Sequence, residues 1–307
     1  MTRMHVSLDL PSRAFAQLPD WLGGYTFSDL ADALEASGLD GVSLSDHPAP
    51  PDRWLAVGGH QSLDPFVLLA ALAARTTRVR LISNLIVAGY RSPLITAKAA
   101  TSLDVVSSGR LVLGMGAGYV EEEFAALGAD FAGRGPAFDA AIRLIRGSWA
   151  GESLTVGQGS DACAHTVLPR PVQAGGPPIW IGGNSSAARR RAALLADGWL
   201  PFMQEEAQAQ ITGTDALTST EQLAGQIHEM RQLAIQAGRP GTLTVCLAPG
   251  RIGSPERLEQ YLANNLEACL EAGVTWLTWQ STAKSLEALI GDLGTVKDIL
   301  DRNVNSA

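Results

Sequence analysis

An alternation runs the length of the chain and constrains its fold more than any other feature. Eight short apolar runs are each followed by a segment of helical period. The strand-like runs are HVSLDL (5–10), GVSLSD (41–46), VRLISNLIV (79–87), RLVLGMG (110–116), PPIWIGG (177–183), GWLP (198–201), 242–248 and 274–279. The helical segments fall at 27–38, 63–76, 92–107, 134–149, 185–197, 219–237, 255–272 and 284–302. Ser28 is a candidate N-cap and Gly38 a candidate C-terminal stop for the first of these; Asp64 and Ser92, each before a proline, open the next two. Parallel strands need helical crossovers, and eight successive strand–helix units point to a closed (β/α)8 barrel, the TIM barrel, more than to an open sheet.

Such a barrel takes roughly 250 residues, and the chain has 307. The surplus shows as an excursion at about 150–177, between the fourth helix and the fifth strand. It is rich in Gly, Pro and Ser, has no helical period, and has room for a short hairpin. No linker divides the chain, so 1–307 reads as one domain. Apolar residues make up 46% and charged residues 18%, enough for a large core. The net charge of −8, with no basic stripe, argues against nucleic acid. No apolar window approaches the roughly 20 residues a membrane span needs, and MTRMHVSLDL enters a strand pattern without a secretory h-region. Three scattered cysteines, Cys163, Cys246 and Cys269, form neither a disulfide framework nor a zinc pattern. We therefore expect a cytoplasmic protein with no metal, no membrane partner and a small-molecule substrate.

Four stretches carry candidate chemistry. GMGAGY (114–119) resembles a dinucleotide loop, but Tyr119 stands where the third glycine belongs, and no acidic strand end follows about 20 residues on. Two readings remain: a tight turn, or glycines that clear room at a barrel mouth. In LSDHPAP (44–50), Asp46 and His47 fall at the C-terminal end of the second strand, the catalytic face of such a barrel, where histidine can move a proton near neutral pH. His5, His60, His165 and His228 are weaker candidates. In WIGGNSSAARRR (180–191), Gly182, Gly183, Asn184 and Ser185 lead into a helix start suited to a phosphate, and at least one of Arg189, Arg190 and Arg191 should reach the mouth. Ser83 and Asn84 interrupt the apolar third strand, as at a bulge or ligand contact. The run Glu121-Glu122-Glu123 reads as a helix start favoured by the dipole. Asp9 and Asp46 could pair as in a hydrolase, but the glycine-rich helix start would then have no role.

In this order, SDH (45–47), SN (83–84), 90–128 and 177–201 resemble the bacterial luciferase-like monooxygenase superfamily, most closely its coenzyme F420 (deazaflavin)-dependent oxidoreductases. The resemblance implies a flavin-like cofactor across the barrel mouth, coenzyme F420 or alternatively FMN. It implies cofactor binding by Asp46, His47, Ser83, Asn84, Gly116, Ala117, Gly182, Gly183, Asn184, Ser185 and Arg189, the glycine–serine segment taking the phosphate. Ser83 and Asn84 match the family's non-proline cis peptide. Proton transfer falls to His47 or to Tyr119, which stands where some members carry a glutamate. It further implies a homodimer, a separate reductase, and hydride transfer to a C=C or C=N bond. The alternatives are an FMN monooxygenase and a non-catalytic flavin-binding barrel. The loop 45–64, with Trp54 as a candidate wall, and the excursion would shape the substrate pocket.

Overall fold

The computed structural model describes residues 3–156, 162–250 and 252–304. Residues 1–2 of the opening segment and 157–161 of the excursion lie outside the described residues. The strands in chain order are β1 (His5–Asp9), β2 (Gly41–Leu44), β3 (Arg80–Ser83), β4 (Ile86–Val87), β5 (Leu111–Gly116), β6 (Leu154–Val156), β7 (Cys163–His165), β8 (Ile179–Gly182), β9 (Gly198–Leu200), β10 (Thr244–Leu247) and β11 (Trp276–Gln280). Among the described strands every pairing but one is parallel; the barrel runs β1–β2–β3–β5–β8–β9–β10–β11, with β4 also paired to β5. β11 pairs back with β1, from His5 against Trp276 to Asp9 against Gln280. The sheet is therefore a closed eight-stranded (β/α)8 barrel, and the expected eight strand–helix units are all present.

The exception is β6 with β7, an antiparallel hairpin in the excursion. Further short helices that carry too few turns for a legible period lie in the loops, at Leu18–Leu22, Asp52–Ala56, Glu121–Ala126 and Glu206–Thr212. The first long helix, Phe27–Ala36, is capped by Thr26 and not by Ser28. Thr26 and Asp29 form a reciprocal capping box, which satisfies two backbone donors where a Ser28 cap would satisfy one. Asp64 caps Pro65–Ala73, accepting from the N–H groups of Phe66 and Val67.

Two apolar layers hold the barrel. Val6, Leu8, Val42, Leu81, Leu113, Ile181 and Val245 point outward under the helices. Ile82, Val112, Trp180, Leu200, Cys246 and Trp276, one from each of six strands, meet inside. These are the two faces of period-two strands, and they explain why the barrel strands are buried on both sides.

The third strand does not run through 79–87 as one element. Ile82 pairs with Val112 and Ile86 with Met115, so four steps on one strand match three on the other. That extra residue makes a bulge, and the Asn84–Leu85 peptide within it is cis, one bond beyond Ser83-Asn84. The bulge brings the Ser83 carbonyl against β5, where a Cβ on Gly114 would lie 2.0 Å from that oxygen. Only glycine fits there. Gly114→Ala should cost about 1–3 kcal/mol or more, because backbone and not a flexible side chain would have to yield. A melting temperature equal to that of the unchanged protein would contradict this.

Candidate active site

The C-terminal ends of the barrel strands open on a cleft of about 770 Å³. At the end of β2 the chain places Asp46 and His47 side by side with different tasks. Asp46 is buried. Its two oxygens accept from Arg91 at 2.5 and 2.9 Å, and one also accepts from the Val87 N–H at 3.2 Å. It therefore ties the β2 end to the strand beyond the bulge. It does not pair with Asp9, which lines a different cavity.

His47 turns the other way. Its Nδ1 lies 3.0 Å from Oε2 of Glu123, a carboxylate with no solvent exposure. The same oxygen accepts from the Tyr90 hydroxyl at 2.7 Å, and the other from the Ala49 N–H at 2.9 Å. Burial alone would raise the Glu123 carboxyl. The hydrogen bonds from His47, Ala49 and Tyr90, with the charge of His47, outweigh it and hold the group below the ordinary carboxylate range. An ionised Glu123 accepts from Nδ1–H, which leaves Nε2 as the nitrogen that can exchange a proton. His47 lines the cleft, and Nε2 has no hydrogen-bond partner among the described residues.

Aromatic rings close around this pair. Trp54 lies 4.5 Å from the His47 ring centroid, His60 meets His47 edge-on at 4.9 Å, and Tyr119 meets Trp54 at 6.4 Å. His60 Nε2 lies 3.0 Å from the Ser45 hydroxyl. Burial first, then the charge of His47, pushes His60 down to about 4, so it stays neutral at pH 7. Tyr119 remains 40% exposed. Its crowded phenol end and the negative charge of Glu123 push it up to about 12, so it offers a neutral O–H.

The opposite end of the cleft is the start of the helix Ser186–Leu195. Ser185 caps it, accepting from the Ala188 N–H at 3.2 Å. Gly182, Gly183 and Ser185 line the cleft. Asn184 does not: it is wholly buried, its amide donates to the carbonyls of Phe202 and Asp215, and its oxygen accepts from the Phe202 N–H. It clamps the neighbouring loops. Arg189 is likewise spent on Asp215 and the Asn184 carbonyl. The arginine that reaches the mouth is Arg191, held by Asp139 at 2.5 Å. Arg134 lies beside it, its guanidinium 3.8 Å from the Phe131 ring.

Between the two ends lies Leu85, carried into the mouth by the bulge. A Cβ on Gly116 or Gly182 would come within 2.7 or 2.1 Å of its methyl groups. These glycines thus make room for Leu85, with Asn84, Gly116 and Ala117 lining the same cleft. Ser83 lies beneath, its hydroxyl donating to the Gly114 carbonyl at 2.9 Å.

Glu123 and Arg134 are additional to the candidates expected from sequence, while His60 is there only a weaker candidate and Arg191 one of three arginines, with Arg189 the one expected at the cofactor. Glu123 was masked by its neighbours: in EEE all three suit a helix start, and only packing shows that one is buried. His60 stands in a loop whose path no periodicity reports. Arg191 is one of three consecutive arginines, and Arg134 opens a helix far away in sequence.

Residues 25–252 match a family model described as luciferase-like monooxygenase. Among curated proteins, an uncharacterised protein of Mycobacterium tuberculosis is 34% identical over 184 residues, 56% of this chain and 63% of its own. An F420-dependent glucose-6-phosphate dehydrogenase of Microbacterium testaceum is 34% identical over 177 residues, 56% of this chain and 51% of its own. The chain thus spans about half to three-fifths of the length of these relatives. Among solved structures, the monooxygenase RslO1 from Streptomyces bottropensis superposes with a TM-score of 0.75 at 19% identity, over 99% of both chains. An F420-dependent secondary alcohol dehydrogenase in complex with an F420–acetone adduct superposes with a TM-score of 0.72 at 15% identity, over 98% of this chain and 99% of that one. At these identities the likeness to the solved structures is one of fold.

Proposed function

The chain belongs to the luciferase-like monooxygenase family, and from that premise we propose that it is a coenzyme F420-dependent oxidoreductase acting on a small organic substrate, most simply at a C=C or C=N bond. One observation carries the proposal: a single cleft joins a glycine–serine helix start, with Arg134 and Arg191 in its lining, to a histidine whose Nδ1 lies against a buried carboxylate. The donor set fits a phosphate-bearing, flavin-like group. Backbone N–H groups at the start of a ten-residue helix, with Arg134 and Arg191, suit a phosphate. The 770 Å³ volume lies within the roughly 300–1,000 Å³ of cofactor-sized sites. The relatives described as F420-dependent and the Ser-Asp-His form of the β2 motif favour the deazaflavin over FMN.

When bound, the reduced deazaflavin supplies a hydride, its ring carrying carbon where a flavin has N5. The protein's own residues do the rest. Gly182, Gly183, Ser185 and Arg191 hold the anionic end. Leu85, packed against Gly116 and Gly182, would limit the room for a ring. Glu123 fixes the His47 ring, and Nε2 moves the proton that balances charge on the substrate. Trp54 and Tyr119 exclude water from that side. A separate reductase would return the cofactor to its reduced form, and the chain would act as a homodimer.

The anion end can be tested apart from the chemistry. Arg191→Gln should weaken deazaflavin binding by about tenfold or more, as loss of a charge-assisted hydrogen bond does, with little change in melting temperature. Fluorescence titration reads the affinity. An unchanged Kd would remove Arg191 from the binding site.

A further inference from the structure

A second cavity, of about 270 Å³, opens inside the barrel mouth and shares Asn84, Leu200 and Phe202 with the cleft. The two cavities therefore adjoin along these residues. The polar wall of the second is Asp9, Cys246, Thr278 and Gln280; its apolar wall includes Leu200, Phe202 and Met203.

Asp9 ends β1 on the barrel-interior face. Val6 and Leu8 point outward under the helices, so by strand alternation His5, Ser7 and Asp9 point inward. Its Oδ1 accepts from the Ser43 hydroxyl at 2.7 Å and its Oδ2 from the Gln280 amide at 3.3 Å. Asp46 has Arg91 as a countercharge; Asp9 has no ion pair among the described residues. No Lys, Arg or His is found among the described residues lining the cavity.

We propose that Asp9 anchors a cationic nitrogen, a protonated amine or iminium, on the substrate of this active site. The role in turnover rests on the oxidoreductase reading; the binding does not. A bound cation supplies the charge that the cavity lacks. A neutral hydroxyl would add only one hydrogen bond, and an anion would be repelled. The volume, on the order of nine water molecules at about 30 Å³ each, admits a small ring.

Burial pushes Asp9 up to about 6, against the hydrogen bonds from Ser43, Gln280 and Asn84. The groups facing it from β2, the bulge, β10 and β11 are Ser43, Asn84, Cys246, Thr278 and Gln280. Of these only Cys246 ionises, and burial pushes its thiol up to about 12. A cation at this site should therefore bind above about pH 6 and lose affinity as pH falls through that value.

The test uses pyrrolidinium chloride and cyclopentanol, matched in size, titrated into the purified protein by calorimetry or ligand-observed NMR. At pH 8 pyrrolidinium should bind at least about tenfold more tightly than cyclopentanol. That preference should fall about tenfold at pH 5, and Asp9→Asn should remove it at pH 8. Equal affinities at pH 8, or a preference that survives in folded Asp9→Asn, would overturn the proposal. If Asp9→Asn does not fold, the pH series on the unchanged protein decides, and a preference undiminished at pH 5 overturns it. A deazaflavin titration of the same protein separates the two readings. Retained pyrrolidinium preference without cofactor binding sinks only the cofactor reading; the reverse sinks only this one.

Discussion

His47→Ala should lower kcat by roughly 10²–10⁴-fold, the usual contribution of a positioned general acid or base, and leave deazaflavin affinity within a few-fold. The two ring nitrogens of His47 are not equivalent, because Nδ1 faces Glu123. Glu123 holds that nitrogen at 3.0 Å inside the protein, so only Nε2 can serve a substrate. Nearby groups are poor replacements at pH 7. The His60 imidazolium is suppressed, with its pKa pushed down to about 4, and the Tyr119 phenol is pushed up to about 12. Single-turnover oxidation of the reduced cofactor with an unsaturated acceptor reads the effect. Full retention of the rate would remove His47 from proton transfer; normal cofactor affinity with no acceptor-dependent oxidation by the unchanged protein would favour a flavin-binding barrel without catalysis.

The second large effect is on folding. Glu123→Ala should destabilise the protein by about 3–5 kcal/mol, as breaking a buried hydrogen-bonded pair does. It would leave the His47 ring, the Tyr90 hydroxyl and the Ala49 N–H without their shared acceptor. The milder Glu123→Gln isolates the charge and has a pH signature. The folded-state carboxyl lies below its ordinary value. Its contribution is therefore complete above the unfolded pKa, about 4.3, and is lost as pH falls through the depressed folded value. The melting-temperature gap between the unchanged protein and Glu123→Gln should be full at pH 7 and shrink toward pH 3. A constant gap would show that the carboxylate's charge is not what the pocket uses.

The barrel was legible because its signal is regional. Eight apolar runs at barrel spacing can be read without knowing any contact. Asp46, His47, Gly182 and Gly183 were legible because strand ends in such a barrel meet at one mouth. Contacts across distant loops were not. Nothing in EEE separates Glu123 from Glu121, since which one faces inward depends on how the 45–64 loop packs 74 and 76 residues away in sequence. Asn184 looked like a ligand contact because Asn before Ser-Ser suits an open helix start; Phe202 and Asp215, which occupy its amide, come from later segments. The choice among Arg189, Arg190 and Arg191 likewise depends on Asp215 and Asp139, which draw two of them to different faces. The glycines of GMGAG invited a ligand in the sequence. In the fold Gly114 and Gly116 make room first for the protein's own Ser83 and Leu85.

The proposed function depends first on which cofactor the cleft takes. Equilibrium titration of the purified protein, freed of endogenous cofactor, with coenzyme F420 and separately with FMN tests it most directly. F420 should bind at least about tenfold more tightly than FMN, a difference of about 1.4 kcal/mol, with the F420 affinity weakened in Arg191→Gln. Tighter binding of FMN, or no binding of either, would contradict the proposed function.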